Sequence, residues 1–248
     1  MENNQLFPTE EVTLPSKGLI YPPENPLSKG VLEMKYMTAK EEDILTNQSY
    51  IKNGTVIDKL LKSLIVTPIN YNDIVIGDKN AIMVAARVLG YGKDYAFTLG
   101  DEEHTVDLTE IEDKELKEEH LLSKGQNEFE FTLPTIQKTV TFKILTHGDE
   151  KKIDSEVKGI KKAKKGESPE YSTRLKHMIL SVDGDTERKT IREFVDTQLL
   201  ARDARALRQY IKEIQPDVDL IFDLETEDGE KEVRVPIGIT FFWPDSEL

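Results

Sequence analysis

The stretch GVLEMKYMTAKEEDIL (residues 30–45) decides how this chain is read. An alternation of apolar and polar residues around Val31, Met34 and Tyr36 predicts a half-buried strand, and Thr38 stands where a helix needs an N-cap. Glu41 and Glu42 fall in the first turn, where unpaired backbone N–H groups and the positive end of the helix dipole favour carboxylates, and Thr38 with Glu41 forms a capping box. A looser copy follows as KTVTFKILTHGDEKKI (residues 138–153). There Val140, Phe142 and Ile144 mark the strand, Thr146 the cap, and Asp149 and Glu150 the first-turn acids. Each copy predicts a strand running into a capped helix.

The likeness continues outward. KLLKSLIVTPIN (59–70) is echoed by RLKHMILSVDGD (174–185), each a short amphipathic helix entering a turn, and DKNAIMVAARVL (78–89) by the alanine-rich RDARALRQYI (202–211). A β-rich stretch closes each copy, DYAFTLGDEEHTVDLTEI (94–111) and DLIFDLETEDGEKEVRVPIGI (219–239). The offset grows from 108 residues to more than 120, as extra loop residues in the second copy would produce. The expected fold is α+β: two tandem divergent copies of a strand–helices–β-hairpin unit with an extended N-terminal arm. Its divisions are the arm (1–30), a first repeat with a charged linker (31–125) and a second repeat (126–248). Chance echoes, which any α+β chain can yield, are the alternative.

The arm holds five of the eleven prolines and no helical period. Proline fixes φ and biases the preceding residue toward extended geometry, so such a segment loses less entropy when it docks. Leu14, Leu19, Ile20 and Tyr21 are its apolar anchors and its candidate partner-binding residues; packing along its own domain is the alternative. On the docking reading, removing residues 1–26 leaves the fold intact.

Turn and period signals divide the rest. Asp78 reads as a cap or first-turn acid of a helix that ends at Gly90. Residues 94–107 read as a hairpin turning at Gly100-Asp101, and 129–133 with 139–145 as another turning at Pro134. Residues 108–125 form a charged seam. The apolar spacing beyond it would suit one long helix, but comparison with the first copy, where a break falls just before Gly77, favours two helices parted near residues 197–200. The run IGITFFWP (237–244) carries the only tryptophan. Read as a strand, it sends Ile237, Ile239 and Phe241 to the core and Phe242 to the other face, which makes Phe242 and Trp243 partner-binding candidates.

Composition removes several function classes. The chain of 248 residues carries 33 basic and 47 acidic residues, a net charge of −14, which opposes a phosphate-backbone partner. The acid is concentrated: residues 101–119 hold ten carboxylates against two lysines, whereas residues 151–165 hold seven lysines against two carboxylates. Such runs are solvated faces or devices for electrostatic steering. Absence of cysteine excludes disulfides and thiolate metal sites, and four histidines leave few other ligands, so no metal or cofactor is expected. No run approaches the length of a membrane span and no signal peptide is read at Met1, so a cytoplasmic, soluble protein is expected. Phosphate-binding, nucleophile-elbow and zinc-protease motifs are absent. The one glycine cluster, Gly90 to Gly92, follows a helix and cannot wrap a phosphate. No enzyme and no small-molecule substrate are expected.

LPSKGLIYP (14–22), EMKYMTAKEEDIL (33–45), IDKLLKSLI (57–65), IGDKNAIMVAARVLGYG (76–92) and PIGITFFWP (236–244) together resemble the baseplate hub protein family of T-even-type contractile-tailed bacteriophages. The resemblance covers most of the chain. It implies a structural or assembly component of the central hub, touching other tail proteins, present in the host cytoplasm during assembly and then in the virion. A transient, chaperone-like assembly factor absent from the mature particle is the alternative. Some relatives carry Cys-x-x-Cys knuckles in the β-hairpins; here those turns read Leu99-Gly100-Asp101-Glu102 and Glu227-Asp228-Gly229-Glu230, a departure that fits the lack of cysteine.

Overall fold

Strand β1 (Thr9–Thr13) lies antiparallel to β2 (Val31–Lys35), with Glu11 opposite Glu33 and Thr13 opposite Val31. The structure, a computed structural model, describes residues 8–99, 102–164, 168–226, 229–235 and 237–242. Between the two strands the chain doubles back through Lys17 and Gly18, both at positive φ. A Cβ at Gly18 would stand 2.4 Å from the Ser28 carbonyl oxygen, so only glycine fits that turn.

After β2 the capping box forms as its residues dictate: the Thr38 N–H and hydroxyl both donate to Glu41 Oε2, at 3.0 and 2.6 Å, and α1 (Ala39–Leu45) begins. Asn47 caps α2 (Gln48–Lys52), and α3 (Val56–Leu64) turns Val56, Leu60, Leu61 and Leu64 inward. The next residue, Ile65, bridges back to Met34. The longest helix of this span, α4 (Ile76–Tyr91), runs past the expected stop at Gly90, and Gly92, at φ 86°, takes the terminating role. Buried Arg87 fixes the exit by donating to the carbonyls of Gly92 (3.0 Å) and Asp94 (3.2 Å). The hairpin of β3 (Asp94–Leu99) and β4 (Glu102–Asp107) follows in the expected place; its tip, Gly100-Asp101, lies outside the described residues. The charged seam holds short 3-10 turns and β5 (Asp113–Lys114).

Strands β6 (Phe129–Thr132) and β7 (Thr139–Phe142) form the second expected hairpin. Thr146 caps α5 (His147–Ala163) through Asp149, which also takes the Lys143 ammonium at 2.8 Å, as Glu41 takes Lys35 at 2.9 Å. Helix α6 (Glu170–Met178) leads directly into β8 (Ile179–Val182), which pairs with β7. Helices α7 (Arg188–Thr197) and α8 (Ala201–Ile214) part where expected. Then β9 (Asp217–Val218) pairs with β5, and β10 (Ile221–Thr226) with β11 (Gly229–Arg234) around a tip, residues 227–228, outside the described set. The architecture is mixed helix and sheet, with sheets of two or three strands.

One cluster of buried apolar side chains runs from Leu14 to Phe242, so residues on both sides of the charged seam share a core. The approach at its centre is close: a Cβ on Gly77, in the first turn of α4, would stand 1.8 Å from the Pro216 carbonyl oxygen.

Two expectations change here. The arm does not stand apart. Leu14, Ile20, Tyr21 and Leu27 are buried in the common core, and β1 is a strand that an extended, proline-biased reading missed. The C-terminal run does not form a strand but a 3-10 turn, Ile239–Phe242. Strand alternation would expose one of two adjacent rings; the tighter turn buries both Phe241 and Phe242, edge to face at 5.7 Å.

Candidate functional site

Three polar side chains inside the core, those of Ser16, Tyr21 and Asp78, meet at the first turn of α4. Asp78, fully buried, accepts from the Ser16 backbone N–H (2.9 Å), the Ser16 hydroxyl (2.7 Å) and the Tyr21 hydroxyl (2.6 Å). The Tyr21 oxygen in turn accepts from the Val75 N–H at 3.1 Å. The arm is thus latched to α4 by a satisfied network rather than by apolar contact alone. Burial pushes the Asp78 carboxyl up to about 6, against the pull of the Tyr21 and Ser16 donors. The Tyr21 phenol is raised by burial and by the Asp78 charge.

In the second span the first turn of α8 carries a buried acid at the same helical position. Asp203 Oδ1 accepts from the Thr135 N–H at 2.7 Å, and Thr135 follows Leu133-Pro134 as Ser16 follows Leu14-Pro15. Among the described residues Asp203 Oδ2 has no hydrogen-bond partner, where Asp78 Oδ2 has two donors.

A second cluster joins α3, α4 and α5. Asp58 Oδ1 accepts from Lys79 Nζ (2.9 Å) and the Tyr71 hydroxyl (3.1 Å). His147 Nδ1 lies 3.3 Å from Lys79 Nζ. An ammonium can only donate, so Nδ1 accepts and the ring proton of neutral His147 sits on Nε2. That nitrogen lies 3.1 Å from Asp58 Oδ2, at ion-pair distance but off the line that a hydrogen bond needs. Burial, and then the Lys79 charge, push His147 down to about 4. Burial raises Asp58 but is outweighed by Lys79, which holds the carboxyl below its ordinary value. His147 and Tyr71 meet edge to face at 4.7 Å. The cluster clamps the two spans together.

Beside it opens a cavity of about 290 Å³ between α6, α8 and the start of α4. Its floor is apolar, with Leu145, Leu175 and Ile211. On its rim Arg174 is held by a bidentate pair with Glu150, and the Arg208 guanidinium lies 5.5 Å over the ring of exposed Tyr171. Among the described residues no group of three or more acidic or histidine side chains is arranged to hold a metal ion, and no helix is long and apolar enough to cross a membrane.

Of the six residues expected to bind partners, Leu14, Ile20 and Tyr21 come together beneath the latch, where they present no surface to another protein. Leu19 is partly buried against the same core, and its carbonyl accepts from the Gly125 N–H at 2.7 Å. Phe242 is fully buried, which corrects its expected exposure; Trp243 lies outside the described residues. Asp78 escaped notice as an acceptor because a first-turn acid reads as a cap, and nothing local says that its donors come from residues 16 and 21. The clue was the pair of polar groups, Ser16 and Tyr21, inside an apolar run.

No family model matches the chain, and neither does any curated protein or solved structure.

Proposed function

We propose that this chain is a structural or assembly component of the central hub of a contractile phage tail baseplate, acting through protein–protein contacts, and that it is built from two tandem divergent copies of a strand–helices–hairpin unit. The observation that carries the reading is where the resembling strings meet. Ser16 and Tyr21 of LPSKGLIYP bind Asp78 of IGDKNAIMVAARVLGYG. Glu41 of EMKYMTAKEEDIL, paired with Lys35 of the same string, accepts from the Ser63 hydroxyl of IDKLLKSLI, and Asp58 of that string accepts from Lys79. The turn Ile239–Phe242 of PIGITFFWP packs against α4, which lies within IGDKNAIMVAARVLGYG. Strings that lie far apart in the chain and join through buried or half-buried polar bonds are what a shared fold would constrain, and that supports the resemblance.

Three likenesses support the duplication. Each span has a lysine–threonine–acid cap after its second strand, a Leu-Pro-Ser/Thr corner bound to an acid in the first turn of a later helix, and a closing hairpin of two six-residue strands in the same register.

Mass spectrometry of purified particles tests the function. Presence at fixed copy number supports a permanent subunit. Absence from particles, with abundance in infected-cell lysate, replaces it with a transient assembly factor; absence from both refutes the hub reading.

A further inference from the structure

Among the described residues no strand pairs with the edge of β1 away from β2, and that edge lies along a groove of about 460 Å³ floored by the small-residue face of α4. Hydrogen bonding in an antiparallel pair alternates along the strand. Leu14 N–H donates to Gly30 O, and Tyr36 N–H to Pro8 O, so the even-numbered residues of β1 bond to β2. The backbone groups of Thr9, Glu11 and Thr13 therefore point to the open side. Ala81, Ala85 and Val88 of α4 line the groove with Val12, and its flanks carry Glu10, Glu11 and Asp113 with no lysine or arginine among the lining residues.

The other half of the molecule has this place filled. Seven residues beyond Asp203 on α8, Tyr210 stacks on Phe131 of β6 at 4.9 Å and meets His120 edge on at 6.4 Å. Phe131 stands two residues before Leu133-Pro134, as Val12 stands two before Leu14-Pro15; seven residues beyond Asp78 stands Ala85. Where the second span has two stacked rings, the first has Val12 and Ala85, and the groove is the volume between them.

We infer that this groove receives an extended segment of a partner protein, added as a strand to the edge of β1, with an aromatic side chain over Ala85 and basic residues against Glu10, Glu11 and Asp113. Backbone pairing supplies affinity, the ring fills the space that Tyr210 fills in the other span, and the acidic flanks select the charge of the segment. The inference rests on the reading of this chain as a protein that works through protein contacts, and it names the surface and the chemistry of the partner.

The test uses the full chain and a fluorescein-labelled peptide alternating lysine with valine and carrying one central tyrosine, read by fluorescence anisotropy. Saturable binding is expected, at least about tenfold weaker for the same peptide with glutamate in place of lysine. Ala85→Trp, which fills the groove without changing charge, and Glu11→Pro, which removes an outward N–H while sparing the bonds to β2, should each weaken binding at least about tenfold. Circular dichroism checks that both variants fold, and hydrogen exchange on the wild type should show peptide-dependent protection at Glu11 and Thr13. No binding by the wild type, or equal binding by the wild type and a folded Ala85→Trp, overturns the inference. Binding that appears only after deletion of residues 1–7 also overturns it, because the chain's own N-terminal segment would then be the occupant. None of these results depends on particle composition, so the hub reading can fail while the groove stands, or the reverse.

Discussion

Replacing Tyr21 by Phe removes a single oxygen and tests the latch directly. That oxygen donates to a fully buried carboxylate at 2.6 Å and accepts the Val75 N–H at 3.1 Å, so its loss weakens the solvation of one buried charge and orphans one backbone donor. A hydrogen bond to a charged group contributes about 1.5–3 kcal/mol and an unsatisfied buried donor costs about 1–3 kcal/mol, so the variant should lose about 3–5 kcal/mol. For a chain of this size each kcal/mol lowers Tm by about 2–4 °C, giving a drop of about 10 °C, measurable by calorimetry and by urea titration. The cost should depend on pH. The native Asp78 carboxyl, near 6, lies above its unfolded value of 3.8, so the native state binds the proton more tightly and the contribution of this group to stability declines as pH rises between those values. Removing a donor to the charged form raises the native value further, so the penalty for Tyr21→Phe should be larger at pH 8 than at pH 5. A loss below about 1 kcal/mol, or a penalty that shrinks as pH rises, would refute the latch.

The other predictions follow from the same geometry. In Glu41, burial pushes the carboxyl up but donation from Ser63, Thr38 and Lys35 outweighs it and holds the group at about 2, below its ordinary 4.5; its stabilisation is complete above pH 4.5 and is lost as pH falls toward 2. Glu41→Gln should therefore cost about 1.5–3 kcal/mol at pH 7 and progressively less in acid, by urea denaturation at a series of pH values. The His147 ring, neutral in the clamp, should titrate near pH 4 by NMR, and a midpoint at its ordinary 6.5 would dissolve the clamp. Its depressed value means stability that is complete above 6.5 and lost as pH falls toward 4. Phe242→Ala should lower stability by about 3–5 kcal/mol, in keeping with a ring in the core; an unchanged Tm would return Phe242 to the surface.

Local chemistry made much of this fold legible. Thr38 with Glu41 and Thr146 with Asp149 announced two helices because capping operates within four residues, and the hairpins of residues 94–107 and 219–239 announced themselves by alternation and turn residues. The break between α7 and α8 followed from comparison with the first span, where a break falls just before Gly77; the apolar spacing alone would suit one long helix. What stayed hidden depends on distance along the chain. Ser16 is 62 residues from Asp78, and the 3-10 turn at Phe241 and Phe242 depends on Tyr95, so neither the latch nor the inward pair of rings can be read from neighbours. The arm was misread for a related reason. Proline spacing reports backbone geometry, which an edge strand and a docking arm share, and burial is what tells them apart. The groove was invisible because it lies where Ala85 and Val12 leave room, and a sequence does not display what is missing between side chains.

The contact of Gly77 with Pro216 has a consequence for synthesis. The chain leaves the ribosome from its N-terminus, and every helix labelled above is made before Pro216 appears. Until then the start of α4 lacks the neighbour that lies against it, Asn80 lacks the Asp217 carboxylate that it binds at 2.8 Å, and β5 lacks its pairing strand β9. A nascent chain stopped just short of residue 216 would carry its complement of helices beside an uncovered backbone flank, in the state that recruits chaperones or associates with its own kind. Residues 215–218, made after every labelled helix, thus cover a helix start made well before them, and their arrival sets the moment at which the flank of α4 is no longer open.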